Sequence, residues 1–412
     1  MKVKLKEVIT NFIVPMRDKP KLFNGNIPWC RIEDIKGKYL SDTKSNKYVS
    51  QDVINSMSLK VYPVNTLLFS CSATIGVTAI TSARLCTNQT FIGLVASDKI
   101  EVEFLYYYLG LIGKKLIKAA SVTTIPYLSR RFFENLEIEL PNKILQANLA
   151  KVLSDLDAKT ELNNKINQEL EAMAKMLYDY WFVQFDFPNE QGKPYKSSGG
   201  KMVYNKELKR EIPEGWEAEK ITKCCSITDC LHSKKPDYNF EHNNYYLLQL
   251  ENLKNNGLID LSKKYFVTEQ NYKSWTNRIE VKEHDIVITN AGRVGATAQI
   301  PKNVITGIGR NITAIRPISI APTYLFLSFR GIDMKRQIAW NTDQGAFFTS
   351  LNVKGIKQLF IVRPHKRIEE KFEYIALPIR RKREIIQKQN QQLIELRDWL
   401  LPMLMNGQVT VE

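Results

Sequence analysis

Residues able to do covalent or metal chemistry are sparse in this sequence. Cys224, Cys225, Cys230 and His232 fall within nine residues. Zinc prefers ligands in separated pairs. Adjacent cysteines, in a segment that aligns with Leu5 to Ile9 earlier in the chain, read better as buried apolar positions. Pro236-Asp237 followed by Glu280-Val281-Lys282 loosely matches a metal-dependent nuclease pattern, but the gap is long and Glu280-Val281-Lys282 reads as a strand edge. His242, His284 and His365 have no partner in the sequence. No G-x-x-x-x-G-K-[ST] phosphate loop occurs. No Pro-Pro pair occurs, so the Asn/Asp-Pro-Pro-aromatic motif of amino-methyltransferases is missing. Neither catalysis, a metal nor an organic cofactor is expected.

A different chemistry, hydrogen bonding to base edges, has more candidates. Three polar, turn-rich loops occur twice. Ser70-Cys71-Ser72-Ala73-Thr74 matches Thr289-Asn290-Ala291-Gly292-Arg293. Thr87-Asn88-Gln89-Thr90 matches Gly309-Arg310-Asn311. Ser121-Val122-Thr123-Thr124 matches Gln344-Gly345-Ala346-Phe347. The major groove rewards Arg on guanine and Asn or Gln on adenine, each bidentate. Candidate base contacts are therefore Asn88, Gln89, Asn290, Arg293, Arg310, Asn311 and Gln344, with the hydroxyls of Ser72, Thr74, Thr123 and Thr124. Each could instead cap a turn or face solvent. Arg130, Arg131 and Lys354 read as phosphate anchors, as do Lys114, Lys115, Lys118 and Lys357. Such contacts position a protein without specifying sequence. The alternative for these is a solvated basic face.

The elements that must position these loops form an internal repeat. Arg31-Ile32-Glu33-Asp34-Ile35-Lys36 recurs as Gln249-Leu250-Glu251-Asn252-Leu253-Lys254, and Ile75-Gly76-Val77-Thr78-Ala79 as Val294-Gly295-Ala296-Thr297-Ala298. Farther on, Leu128-Ser129 pairs with Leu351-Asn352 and Pro141 with Pro364, an offset of 223 residues. At that offset each copy ends in a long segment of heptad-type periodicity. The first, starting at Leu149, places Val152, Leu156, Ile166, Leu170, Met173, Leu177 and Tyr180 in an apolar series. The second places Phe372, Ile375, Ile379, Leu393, Leu396, Leu400 and Met403 there, with Gln389. Both series are interrupted in the middle, at Lys159 and Lys382 and at Asn163, and a polar seam residue can fix register. Asn142 is the expected N-cap of the first helix, which should end before Phe187-Pro188. The second should run from about Arg367 to Leu401 and stop at Pro402. Asn189 to Gly215 is polar and rich in Gly, Lys and Ser, which reads as a linker or extended arm.

Composition narrows the partner. The chain has 412 residues, 44% hydrophobic and 25% charged, with a formal net charge of +16. That is a globular mixture with an excess of base, favouring a polyanion, nucleic acid ahead of a membrane surface. Residues 1–188 carry 24 Lys/Arg against 19 Asp/Glu, and residues 189–412 carry 35 against 24, so both copies are basic. No run is long and apolar enough for a membrane helix, and the amino terminus has no signal-peptide core. A cytoplasmic location with reduced cysteines is expected. Two helices of roughly 40 residues, about 60 Å long, would pair antiparallel as a spacer holding two similar modules about a pseudo-twofold axis. A scaffold rod is the alternative. Arg380-Arg381-Lys382-Arg383 could lie along duplex DNA or be a solvated helix face; the first is favoured.

The chain resembles the specificity (S) subunits of Type I restriction–modification systems. The resemblance rests on Ile27-Pro28-Trp29-Cys30-Arg31-Ile32-Glu33-Asp34-Ile35 and on Trp181-Phe182-Val183-Gln184-Phe185-Asp186-Phe187-Pro188. It continues through Gly192-Lys193-Pro194-Tyr195, Arg210-Glu211-Ile212-Pro213-Glu214-Gly215-Trp216 and Leu400-Leu401-Pro402-Met403-Leu404-Met405-Asn406-Gly407-Gln408-Val409. It covers essentially the whole chain and implies a non-catalytic reader of double-stranded DNA. Two target-recognition domains, residues 1–143 and 216–366, would each read one half of a bipartite sequence. Long helices at 144–186 and 367–404 would set the spacer, with an arm at 187–215 and a tail at 405–412. Two methyltransferase (M) subunits would dock, and restriction (R) subunits would join them. The expected fold is α+β: two tandem mixed α/β domains separated by two long antiparallel coiled-coil helices.

Overall fold

A computed structural model describes residues 1–72, 74–116, 127–231, 236–239, 244–345 and 349–409. The chain forms two compact units, residues 1–161 with 392–412, and residues 162–391. The division falls inside both long helices, Lys143–Tyr178 and Lys366–Met405.

The amino-terminal unit is built on a five-stranded sheet in the order Ile9–Ile13, Phe91–Ala96, Thr66–Ser70, Thr78–Thr81, Tyr39–Leu40. Its pairs are antiparallel except the last. The central strand Thr66-Leu67-Leu68-Phe69-Ser70 is buried on both faces, which explains its unbroken apolar run. A three-stranded sheet, Tyr48–Val49, Ile27–Cys30, Cys86–Thr87, and the pair Lys2–Lys4 with Glu137–Glu139 complete it. Leu149, Ala150 and Leu153 of the first long helix and Leu404 and Met405 of the second share one core with Phe104 and Phe133. The two helix segments are antiparallel here, and Arg397 Nη1 meets Asp157 Oδ1 at 3.0 Å.

The carboxy-terminal unit repeats the plan. Its four-stranded sheet runs Cys225–Asp229, Ile312–Pro317, Ile286–Thr289, Thr297–Gln299; its three-stranded sheet runs Tyr265–Phe266, Tyr246–Leu248, Gly307–Ile308; Glu217–Lys220 pairs with Phe360–Arg363. Phe372 packs edge-on against Phe182, with ring centroids 4.8 Å apart, among Trp181, Tyr324 and Ile368. Asn390 Nδ2 donates to Asn164 Oδ1 at 2.8 Å, and Arg383 Nη2 reaches Glu171 Oε2 at 3.0 Å. The pairs 157 with 397, 164 with 390 and 171 with 383 step by seven on both helices, as a coiled-coil register requires.

The first helix starts as expected, with Leu145 N donating to Asn142 Oδ1 at 2.9 Å. Four expectations need correction. On the first helix the expected seam residue Asn163 is buried, and Val152 and Leu177 pack against the cores, but Ile166, Met173 and Tyr180 are exposed and Asn167, Ala174 and, just beyond the helix, Trp181 are buried in their place. The second helix passes through Pro402 to Met405. Proline forfeits one backbone bond, but burying Leu404 and Met405 offsets that loss. Asn189 to Gly215 is not a free linker: Phe187 stacks on Trp216 at 4.8 Å and on Tyr195 at 4.7 Å, and Met202–Asn205 pairs with Arg210–Pro213. The basic run on the second helix is half buried. Arg380 donates to Ile300 O at 2.7 Å and pairs with Glu384, and Arg383 donates to Asn256 O at 2.8 Å. Arg381 and Lys382 are exposed.

Candidate nucleic-acid interface

In each copy the first two loops, and the residue that follows the segment of the third, are joined at one backbone residue. In the amino-terminal unit, Cys71 N donates to Thr90 O at 2.8 Å and Leu128 N donates to Cys71 O at 2.9 Å. In the carboxy-terminal unit, Asn290 N donates to Asn311 O and Leu351 N donates to Asn290 O, both at 2.8 Å. These bonds tie the loop after the central strand to the loop before its neighbour and to the chain just after the third loop. Isolated bridges, Ser72 with Tyr127 and Ala291 with Ser350, extend the junction. The first loop closes alike in both units: Gly76 N donates to Ser70 O and Gly295 N to Thr289 O. Gly76 and Gly295 have φ of +95° and +78°, the left-handed region that favours glycine.

The third loop leads into a short helix capped in both copies. Ser129 Oγ accepts from Phe132 N at 3.3 Å, and Asn352 Oδ1 accepts from Gly355 N at 2.8 Å. Arg130 and Arg131 follow the first cap and Lys354 the second, all exposed. Arg130 pairs with Glu134 at 2.8 Å and lies over the Phe12 ring.

The candidates separate by what their side chains already hold. Thr74 and Gln89 are exposed and Ser72 half-buried. Asn88 Oδ1 accepts from Thr90 Oγ1 at 2.7 Å. Asn290 is buried and its amide is used internally, bonding Asp229 and Thr313, so it is held away from solvent. Arg293 is exposed, yet its guanidinium donates to Leu250 O at 2.9 Å and also to Leu253 O and Asn255 Oδ1. Arg310 is half-buried, and its Nε has no hydrogen-bond partner among the described residues. Asn311 sits at φ +63°. Gln344 ends the first strand of a hairpin, Asp343–Gln344 against Thr349–Ser350, and its side chain lies outside the described residues. Thr123, Thr124 and Lys118 lie outside the described residues, as do the side chains of Lys114 and Lys115. Tyr127, exposed and bridged to Ser72, is a residue that loop composition does not single out; an aromatic closing a polar loop is its one signal.

The other sequence candidates do other work. Cys224 and Cys225 are buried core positions with sulfurs 3.7 Å apart, and Cys230 is buried in a separate cluster. His232 and His242 lie outside the described residues. Glu280 Oε1 accepts from Tyr272 Oη at 2.8 Å. No group of three or more potential metal ligands occurs among the described residues. No helix among them is long and apolar enough to cross a membrane.

Both units thus carry polar loops at strand ends followed by exposed bases, an arrangement that suits DNA recognition. Residues 1–172 match the family model described as the Type I restriction modification DNA specificity domain. The chain is 26% identical over 404 residues to the Type I restriction enzyme MjaIX specificity subunit of Methanocaldococcus jannaschii, covering 95% of this chain and 88% of that one. It is 23% identical to the HindI specificity subunit of Haemophilus influenzae, over 72% of this chain and 74% of the relative. Its fold is similar to the crystal structure of the Type I restriction–modification S subunit from M. genitalium, with a TM-score of 0.59, 16% identity, and 98% and 95% of the two chains covered. Residues 1–172 thus match a Type I restriction modification DNA specificity domain, and over most of its length the chain is similar to Type I restriction enzyme specificity subunits.

Proposed function

We propose that each unit reads one half of a bipartite duplex sequence with its three loops, and that the paired helices set the unread gap. The observation that carries this reading is the repeated junction, at Cys71 and at Asn290, which joins the first two loops and the chain just after the third in both copies. Bases at Arg130, Arg131 and Lys354 flank those loops and suit phosphate contacts. Major-groove faces recur roughly every 34–36 Å, a span that helices of this length can match.

The helices also dock methyltransferase subunits, with restriction subunits joining the complex, so that DNA reading directs adenine methylation and cleavage. Exposed apolar residues support two equivalent docking faces. Met173 and Met176 are 54% and 70% exposed; at the repeat offset stand Leu396 and Trp399, 42% and 56% exposed. Large apolar side chains kept exposed at matching positions in both copies suit a partner present twice.

Selection from a random duplex pool, with the chain purified alongside its methyltransferase partner and with competitor DNA present, tests the reading. Two short motifs at a fixed gap are expected, and one heptad inserted in each helix should lengthen the gap. A pool that stays random despite complex formation would favour a scaffold.

A further inference from the structure

We infer that Asp229 is a positioning residue for base reading by the carboxy-terminal unit; this rests on the DNA-reading role proposed above. Asp229 Oδ1 accepts from Cys230 N at 3.0 Å, Thr313 Oγ1 at 2.9 Å and Asn290 Nδ2 at 3.2 Å. Asn290 Oδ1 lies 3.0 Å from Thr313 Oγ1. Asn290 and Thr313 are buried. Asn290 is also the residue whose backbone joins the first two loops and the chain just after the third. One carboxylate thus fixes the orientation of the residue that joins the loops carrying Arg293, Arg310 and Asn311 to the chain just after the loop of Gln344.

The amino-terminal unit lacks this network. Ile288 pairs with Thr313 and Asp229 with Thr313 in one sheet; Phe69 pairs with Ile92 and Ile13 with Gly93 in the other. The equivalent positions are therefore Val14, Cys71 and Ile92. Cys71 makes the same two backbone bonds with no side-chain amide. The fold consequently does not need the polar set. Burying an amide and a hydroxyl and half-burying a carboxylate costs desolvation that an apolar set avoids. What it provides is direction, because hydrogen bonds hold one orientation where apolar contact tolerates several.

The test is duplex selection with the methyltransferase complex, comparing wild type, Asp229→Asn, and the triple variant Asp229→Val/Asn290→Cys/Thr313→Ile, which installs the amino-terminal solution. The triple variant should melt like wild type. In both variants, base preference should fall about tenfold at one half-site only, the half that Arg310→Ala perturbs; the other half and the gap stay unchanged. Retention of full preference at both halves would make the network merely structural and overturn the inference. Equal loss at both halves, or failure of the triple variant to fold, would overturn it too. Failure of wild type to select any two-part sequence removes the underlying reading instead, and needs no variant to detect.

Discussion

Asn163 Nδ2 donates to Asn390 Oδ1 at 2.9 Å between the two long helices. Both residues are buried, and Asn390 passes a hydrogen bond on to Asn164. Asn163 is the polar position at which periodicity interrupts the apolar series. A buried amide pair stabilises little by itself, but a helix slipped along its partner would leave both amides unsatisfied.

Replacing one member should therefore hurt more than replacing both. Asn163→Leu is expected to lower stability by about 1–3 kcal/mol, because the Asn390 amide loses a buried partner. Asn163→Leu/Asn390→Leu should recover most of that loss, since two apolar residues leave no unsatisfied group. Thermal denaturation of the two variants checks the order.

His284 should make stability fall in acid. Arg380 Nη1 lies 3.1 Å from His284 Nδ1, so Nδ1 accepts and the ring is neutral. Burial, and next the Arg380 charge, hold its pKa below the ordinary 6.5; Glu283 and Glu373 oppose this shift and Arg381 adds to it. The folded pKa is the lower one, so the unfolded chain binds more protons just under 6.5. The stabilising contribution is complete above that value and is lost as the pH falls through the window below it. The melting temperature should drop between pH 7.5 and 5.5, and His284→Asn should flatten that drop. Asn is a suitable replacement because His284 has φ +77° and Asn tolerates positive φ.

Base readers and phosphate anchors should separate by salt. Gln89→Ala and Arg310→Ala are expected to relax preference at different half-sites, each by about 1–3 kcal/mol for a lost bidentate contact. Arg131→Ala and Lys354→Ala should weaken binding to all sequences alike and reduce the salt slope by about 1. Binding isotherms at several salt concentrations, on matched and mismatched duplexes, check both.

The duplicated apolar faces should fail one at a time. Met173→Ser/Met176→Ser should remove one methyltransferase copy and Leu396→Ser/Trp399→Ser the other, with the combined variant binding none. Native mass spectrometry of the reconstituted complex reads the stoichiometry. Two copies retained by the combined variant would place docking elsewhere.

Much of this architecture was legible in the sequence because repeats and periods are local properties. The offset of 223 residues announced the duplication, Asn142 announced a helix start, and the polar loops announced themselves by turn residues at matching positions. What could not be read was which side of a helix is covered. Ile166 and Met173 look like seam residues by type, yet Asn167 and Ala174, each one residue on, are buried in their place. Arg380 and Arg383 look like part of a basic run along DNA, yet Arg380 reaches Ile300 O, and Arg383 reaches Asn256 O and Glu171, all far away in the chain.

By itself, then, the amino-acid sequence determined two α+β copies, two long helices and a set of polar loops of basic surroundings. Tertiary structure alone decided that the first two loops of a copy and the chain just after the third join at one residue, that Asn290 serves Asp229 and Thr313, and that Met176 and Trp399 stay uncovered. The reason is physical. Period and turn chemistry are written in neighbouring residues, whereas burial and hydrogen-bond satisfaction depend on what folding brings opposite them.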